Sequence, residues 1–216
     1  ILHLLAFNKL HATHLMGGEI TWQCQGDGRY VFTLKLYRDC NGVPLNFPVM
    51  LRVHNHPSVS SIAMQLVSQL DISPKCNGSG PTISCAGADG NDAGAVEEFI
   101  LQSNPVLLSG TPPAQGWVFT FDDCCRNAAI SNLIISPNAS GFTLRAVMYP
   151  YQANSASPCF DSSPVFAQVP AVIICAGNAF TYNHNAYDPD KDSLVYSFGQ
   201  ALDWLNGSNW TASNPA

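Results

Sequence analysis

The sequence predicts an all-β protein of the Ig-like β-sandwich class, stabilised by disulfides. Apolar and polar residues alternate with a period of two through much of the chain, as in "RYVFTLKLYRD", which is typical of half-buried strands. Clusters of turn-forming residues separate these runs, and the chain contains 16 Gly and 15 Pro. Eight cysteines, an even number, favour an oxidised framework. Together these observations predict a sandwich of about ten strands.

Individual strands can be placed on the sequence from this alternation. The predicted strands include, in chain order, "GEITWQC", "RYVFTLKLYRD", "PVMLRV", "SIAMQLVSQ", "AGAVEEFILQ", "GWVFTFD", "GFTLRAVMYP" and "SLVYSFG". The run "AGAVEEFILQ" is compatible with a helical turn, but a strand is favoured because its neighbours are strands. One short helical turn is expected in "CCRNAAISNL".

Three segments are expected along the chain. Residues 1–12 are apolar and Leu-rich, and they form either an arm or the remnant of a signal peptide, because "LHA" before Thr13 resembles a cleavage site. Residues 13–163 form the β-sandwich domain. Residues 164–216 begin a second, cadherin-like or PKD-like sandwich, which is incomplete since an Ig-like sandwich needs roughly 90–100 residues. Either the sequence is a fragment of a longer protein, or another chain completes this sheet.

Composition narrows the classes of partner. Charged residues make up 11% of the chain, against about 25% in typical soluble domains, so its neutral polar surface opposes self-association only weakly. The net charge is −6, with nine Lys plus Arg and no basic cluster, which argues against a nucleic-acid partner. No run has the roughly 20 apolar residues that a membrane-spanning helix needs.

Eight cysteines in a chain so poor in charge predict a secreted protein, and no pair has the CxxC spacing of a zinc or thioredoxin motif. The alternative is a cytosolic protein with buried free thiols. All eight are expected in disulfides: Cys24, Cys40, Cys76, Cys85, Cys124, Cys125, Cys159 and Cys175. "CNGSGPTISC" closes a short loop and predicts that Cys76 pairs with Cys85. Cys159 and Cys175 are the other local pair.

The adjacent cysteines of "FDDCCRN" are a separate case. Neighbouring side chains on a strand point to opposite faces, so Cys124 and Cys125 are expected to bind different partners, such as Cys24 or Cys40. A catalytic thiol is the alternative, but no thiol-protease signature surrounds the pair. No Ser-His-Asp, paired-Glu or phosphate-loop pattern occurs either, so an enzyme is not expected.

The stretch "DPDKDSLVYS" places Asp188, Asp190 and Asp192 at alternate positions. Ca²⁺ takes six to eight oxygen ligands, and such carboxylates can supply several of them, so these three residues are a candidate calcium site. Lys191 and the lack of a Glu at the twelfth position exclude an EF-hand. The alternative is a turn in which the aspartates cap backbone N–H groups.

Two further pairs are candidate ligand residues. Trp204 and Trp210 in "DWLNGSNW" are placed to stack on sugar rings if exposed, or to fill a core or an interface if not. His54 and His56 in "VHNHP" would share a face of a strand and could hold a transition metal, although a solvent-facing pair is favoured.

Five motifs in order resemble one bacterial family. They are "HLMGGEITWQC", "YVFTLKLYRDCNG", "CCRNAAISNL", "SPCFDSSPVF" and "YNHNAYDPDKDSLVYSF", and together they cover nearly the whole chain. The family consists of large secreted surface proteins of gliding-type bacteria, many of which carry a gliding-motility-associated sorting domain and leave by type IX secretion. "DPDKDSLVYS" also resembles the start of cadherin-like and PKD-like repeats, in which Gly usually occupies the position of Lys191 and the aspartates often bind Ca²⁺.

The resemblance implies an extracellular adhesin or surface-structural protein rather than an enzyme. With the low charge and the incomplete second sandwich, it predicts a module that assembles with other copies of itself, or with other surface proteins, into a filament or surface layer. The alternative is a carbohydrate- or ligand-binding β-sandwich of a larger surface protein.

Overall fold

The computed structural model describes most of the chain and is all-β, with no helix in the part that it describes. The described residues are 14–73, 83–86, 92–124, 126–127, 130, 141–150, 158–169, 179, 181–199, 201–203 and 211–212, without the side chains of 124, 203, 211 and 212. The strands are β1 (Leu15–Cys24), β2 (Arg29–Asp39), β3 (Val49–His54), β4 (Ser61–Asp71), β5 (Val96–Ser103), β6 (Val106–Leu107), β7 (Trp117–Cys124), β8 (Gly141–Met148), β9 (Val165–Phe166), β10 (Ala186–Tyr187), β11 (Leu202–Asp203) and β12 (Thr211–Ala212).

Ten of these strands form one antiparallel sheet that rolls up until it is nearly closed. Its order is β1-β2-β5-β4-β3-β7-β8-β11-β12, and β6 pairs with the start of β2. β1, at one end of this order, also contacts β8 and β7 near the other end, so the sheet encloses a barrel-like core. The all-β class and the disulfide-stabilised core are confirmed.

The core forms because the apolar positions of each strand share one face. In β2 the alternate residues Tyr30, Phe32, Leu34 and Leu36 are completely buried. The ring of Phe32 lies 4.7 Å from that of Phe119 on β7, between centroids, across the inside of the roll. Aromatic pairs at this separation add about 0.5–1.5 kcal/mol to the burial of their area.

One ion pair is buried in the sheet at the end of β2. The guanidinium of Arg38 contacts a carboxylate oxygen of Glu97 on β5, and both residues are less than 8% exposed. Arg38 Nη1 also donates to the carbonyls of Gly42 and Val43 at 2.6 and 2.7 Å, and Gln69 Nε2 donates to Glu97 at 2.7 Å. Because the remaining donors and acceptors are used, the pair fixes the β2–β3 loop against the sheet.

Two disulfides are present among the described residues, and they join distant parts of the chain. Cys24 pairs with Cys159 and Cys40 with Cys85, at sequence separations of 135 and 45. The predicted pairs of Cys85 with Cys76 and of Cys159 with Cys175 are therefore wrong.

The suggested partners of the adjacent cysteines are wrong as well, because Cys24 and Cys40 are already paired. The predicted disulfides joined cysteines that are close in sequence, whereas the topology of the sheet determines which cysteines are close in space. The end of β2 lies beside the chain that enters β5, where the N–H of Cys40 donates to the carbonyl of Ala95 at 3.0 Å. Three cysteines lie outside the described residues, as does the side chain of Cys124: Cys76, Cys125 and Cys175.

The chain after β8 is organised differently from the rolled sheet. β9 and β10 pair with each other in a separate two-stranded sheet, whereas β11 pairs with β8 and so joins the large one. The predicted strand "SLVYSFG" is wrong, since residues 193–199 belong to no strand. The predicted domain boundary at residue 164 stays a prediction. Within the part of the chain that is described, there is no helix with the length and hydrophobicity needed to cross a membrane.

Candidate functional site

A short segment, residues 158–163, fastens the C-terminal part of the chain to β1 and β2. Trp22 on β1 donates through its indole Nε1 to the carbonyl of Asp161 at 3.1 Å and through its backbone N–H to Ser163 Oγ at 2.7 Å. The backbone N–H of Ser163 donates back to the Trp22 carbonyl at 3.0 Å. Together with the disulfide at Cys159, these bonds hold the segment in place beside the core.

The aspartate loop folds as a turn stabilised by its own first carboxylate. Asp188 Oδ1 accepts hydrogen bonds from the backbone N–H groups of Asp190 and Asp192, at 2.8 and 3.3 Å. The N–H of Lys191 donates to the Asp188 carbonyl at 3.2 Å, which closes the turn. Lys191 has a φ of 68°, in the left-handed region. Glycine adopts this region without steric penalty, whereas the Cβ of Lys191 is unfavourable there.

Tertiary contact adds a fourth carboxyl group to the loop. The backbone N–H of Ser162 donates to Asp190 Oδ2 at 2.5 Å, so the loop lies against the anchored segment. Asp161 is thereby placed near the three loop aspartates, and burial together with the charges of Asp188, Asp190 and Asp192 raises the pKa of Asp161 to about 7. No signal in the sequence could have found Asp161, because it belongs to the group only through folding.

The calcium prediction has no direct support in this geometry. Two of the three predicted ligands, Asp188 and Asp190, already accept backbone hydrogen bonds, as the turn alternative expects. Within the described ranges, no group of three or more His, Cys, Asp or Glu side chains is arranged to hold a metal ion. The carboxylates nevertheless supply oxygen atoms of the kind that Ca²⁺ takes, so calcium binding by Asp188, Asp190 and Asp192 stays a prediction.

A groove lined by aromatic rings lies beside the two-stranded sheet, with a volume of about 560 Å³. The ring of His184 is central to it, at 4.8 Å from Tyr182 and 5.0 Å from Phe166 between centroids, and it stacks at 6.2 Å on Tyr196. The lining, hereafter the aromatic groove, comprises Phe166, Tyr182, Asn183, His184, Val195, Tyr196, Ser197 and Phe198. Its rings and few polar groups are typical of a surface that binds apolar or sugar faces.

One wall of the aromatic groove is unusually exposed. Val195 is 91% exposed and Phe198 is fully exposed, at 108%. Among the described residues, no backbone hydrogen bond involves residues 193–199. The hydroxyl of Tyr196 accepts from the N–H of Ala186 at 3.1 Å, which ties the wall to β10. Exposed apolar side chains next to open backbone groups form a surface to which another strand can bind.

The other predicted ligand residues are not brought to this surface. Trp204 and Trp210 lie outside the described residues. The histidines of "VHNHP" do not share a face, because β3 ends at His54 and His56 lies in the following turn. His56 Nδ1 accepts there from the backbone N–H groups of Ser58 and Val59, at 3.2 and 3.0 Å.

A hydroxyl, an imidazole and a carboxylate do meet on the face of the sheet opposite the core, which the sequence did not predict. Thr120 Oγ1 lies 3.1 Å from His54 Nε2 and 3.3 Å from Asp122 Oδ2. Asp122 Oδ1 accepts from Thr143 Oγ1 at 2.9 Å. Burial lowers the pKa of His54, opposed by the charge of Asp122. Because Thr120 is completely buried, no substrate reaches its hydroxyl, and the cluster stabilises the β3–β7–β8 face instead.

The fold and these surfaces define a class: an all-β protein with disulfides and an exposed aromatic groove. In comparisons with known proteins, no family model matches the chain, and neither a curated protein nor a solved structure matches it.

Proposed function

We propose that this chain is a secreted structural or adhesin-type module of a bacterial cell surface, which self-assembles into an extracellular filament or surface layer. Its two disulfides are typical of a protein that matures in an oxidising compartment. The order of the five family motifs supports a surface protein of gliding-type bacteria, and the low content of charge supports close packing of copies. The proposal assigns no catalytic step to the chain.

The exposed wall of the aromatic groove is the observation that carries the proposal. A single exposed apolar residue is ordinary on a protein surface, but a run of them rimmed by polar groups marks an interaction site. Here residues 194–198, "LVYSF", include Val195, Tyr196 and Phe198, each more than half exposed. Their backbone has hydrogen-bonding groups to offer to a second polypeptide.

The test is the state of association of the native protein over a range of concentration. Light scattering after size exclusion and negative-stain electron microscopy should show species that grow with concentration and end in regular polymers. A protein that remains a monodisperse monomer up to about 0.1 mM, where even weak transient contacts become visible, contradicts self-assembly.

Binding of a carbohydrate is the second candidate, and the composition of the groove favours it specifically. Tyr182 and Tyr196 offer ring faces, while Asn183 and Ser197 offer hydrogen bonds at the same surface. Such a combination orients a sugar ring by stacking and fixes its hydroxyl groups. Titration calorimetry with soluble oligosaccharides should then give binding that Tyr196→Ala abolishes and Tyr149→Ala, at an exposed tyrosine outside the groove, leaves unchanged.

A further inference from the structure

The aromatic groove has the dimensions and the open backbone of a receptor for one β-strand. Val195, Tyr196, Ser197 and Phe198 form one side of it, within a run, residues 193–199, that has as many residues as a typical strand. An added strand would give hydrogen bonds to their backbone and would cover Val195 and Phe198, which are now exposed. In this kind of pairing the main-chain hydrogen bonds provide affinity, and pockets for alternate side chains provide specificity.

The charge at one end of the groove restricts the occupant. The aspartate loop directly precedes residues 193–199 and directly follows β10, so it lies where these two parts of the chain meet. It brings Asp188, Asp190 and Asp192 together with Asp161, and its own sequence contains a single cationic residue, Lys191. An occupant with an apolar run and positive charge beside it is attracted, and an acidic one is repelled.

One segment of this chain has that chemistry. Residues 1–12, "ILHLLAFNKLHA", are apolar and contain Lys9 and two histidines, His3 and His11, but no Asp or Glu, although the chain as a whole carries a charge of −6. We propose that the aromatic groove of one copy binds residues 1–12 of a second copy as an added strand, with Lys9 directed toward the aspartate loop. The inference rests on the proposed self-assembly and names the two surfaces that carry it.

The geometry of this contact makes it a polymerising one. The donor segment and the groove are different surfaces of the same molecule, so each copy can donate to one neighbour and accept from another. Such heterologous contacts extend into filaments unless the rotation between copies closes a ring.

The experiment uses full-length variants, after the intact mass of the secreted protein has confirmed residues 1–12. The donor variant carries Leu4→Asp with Leu5→Asp, and the groove variant carries Val195→Ser with Phe198→Ser. The control carries Val67→Ser with Leu70→Ser, at exposed apolar residues of β4 away from the groove. Mass photometry measures the species that each variant forms, alone and mixed.

The two altered proteins should be monomeric alone but should form a one-to-one complex when mixed, since one retains the donor and the other the groove. The control should polymerise like the native protein. Lys9→Glu should weaken association about fivefold, the effect of one exposed ion pair. Formation of the mixed complex also shows that both variants are folded.

Contrary outcomes separate this inference from the proposed function. If the native protein polymerises and the donor variant still does so, or if the mixture stays monomeric, the donor is not residues 1–12 while self-assembly stands. If the groove variant polymerises, the groove is not the receptor. A secreted protein that lacks residues 1–12 also overturns the inference, whereas a native protein that never associates overturns the proposed function itself.

Discussion

The rolled sheet and the chain that follows it treat apolar side chains in opposite ways. Phe119 on β7 is completely buried among other rings, whereas Phe198 is fully exposed. In the rolled sheet the apolar faces of the strands pack against one another and form the buried core. In residues 193–199 the same kind of sequence pairs with no strand of the part of the chain that is described. Apolar side chains at alternate positions are therefore buried only where other strands pack against them.

The largest effect on stability is expected when the C-terminal region is released from the sheet. Cys24→Ser with Cys159→Ser removes the link across 135 residues, and we expect a loss of about 5 kcal/mol, against about 4 kcal/mol for Cys40→Ser with Cys85→Ser across 45 residues. Urea unfolding under non-reducing conditions measures both.

Limited proteolysis complements these measurements. The first variant should be cleaved first after residue 163, because its anchor is lost, whereas the second should not. Equal cleavage patterns for the two variants would contradict the anchoring role.

A matched pair of substitutions tests the difference in burial directly. Phe119→Ala should lower the free energy of unfolding by about 3–5 kcal/mol, because it leaves a cavity in a closed core. Phe198→Ala should change it by less than about 0.5 kcal/mol in dilute solution, where no second chain covers the ring. Chemical denaturation of the monomer provides the values, and a large loss in the second variant would show that Phe198 is buried after all.

Binding of Ca²⁺ to the aspartate loop should have a smaller effect on stability, and it can be measured separately. If the aspartate loop binds Ca²⁺ with a Kd of 10⁻⁴ to 10⁻³ M, 10 mM Ca²⁺ should stabilise the protein by about 1.4–2.7 kcal/mol, and EDTA should reverse this. Asp188→Asn keeps an oxygen for the turn but removes a charge, so it should abolish the gain. Melting curves that do not move with Ca²⁺ or EDTA leave the loop as a turn only.

The ionisation of Asp161 should make the stability of the protein depend on pH, and this can be measured without any ligand. Its pKa is raised to about 7 by burial and the loop carboxylates, so the folded state holds a proton that the unfolded chain releases near pH 4. Its contribution is therefore fully present below pH 4 and is lost as the pH rises to 7. Asp161→Asn should stabilise the protein at pH 8 by about 1–2 kcal/mol, after allowance for solvent screening, and not at pH 4.

Asp27 is the control for this titration, because it lies on an exposed turn. A backbone hydrogen bond from Arg29 lowers the pKa of Asp27, so its contribution has the opposite sign and is lost as the pH falls. Asp27→Asn should therefore not stabilise the protein at pH 8. An equal gain from both Asn variants would mean that overall charge, and not the aspartate loop, is responsible.

The smallest expected effect concerns the backbone of the loop. Lys191 adopts a φ of 68°, which is unfavourable for a residue with a Cβ. Lys191→Gly should therefore be more stable than Lys191→Ala by about 1 kcal/mol, while both remove the same charge. Thermal melts of the two variants provide the comparison, and equal stability would show that the loop tolerates the strain.

Many of the strands, and the residues of each strand that face the core, could be predicted from the sequence. Alternation in "RYVFTLKLYRD" predicted β2 and its buried positions, and it correctly favoured a strand for the run that became β5. The engagement of Cys24, Cys40, Cys85 and Cys159 in disulfides was also predicted. Periodicity and turn chemistry act within a few residues, so a single segment contains the information for them.

The contacts between residues far apart in the sequence could not be predicted, because they depend on the tertiary fold. The partners of Cys24 and Cys40 are the cysteines that the rolled sheet places beside them. Asp161 lies near the aspartate loop because the anchored segment contacts that loop. In the folded protein "SLVYSFG" belongs to no strand, although its alternation matches that of β2. A strand exists only when a neighbour accepts its hydrogen bonds, and that neighbour is set by the topology of the whole sheet rather than by the segment.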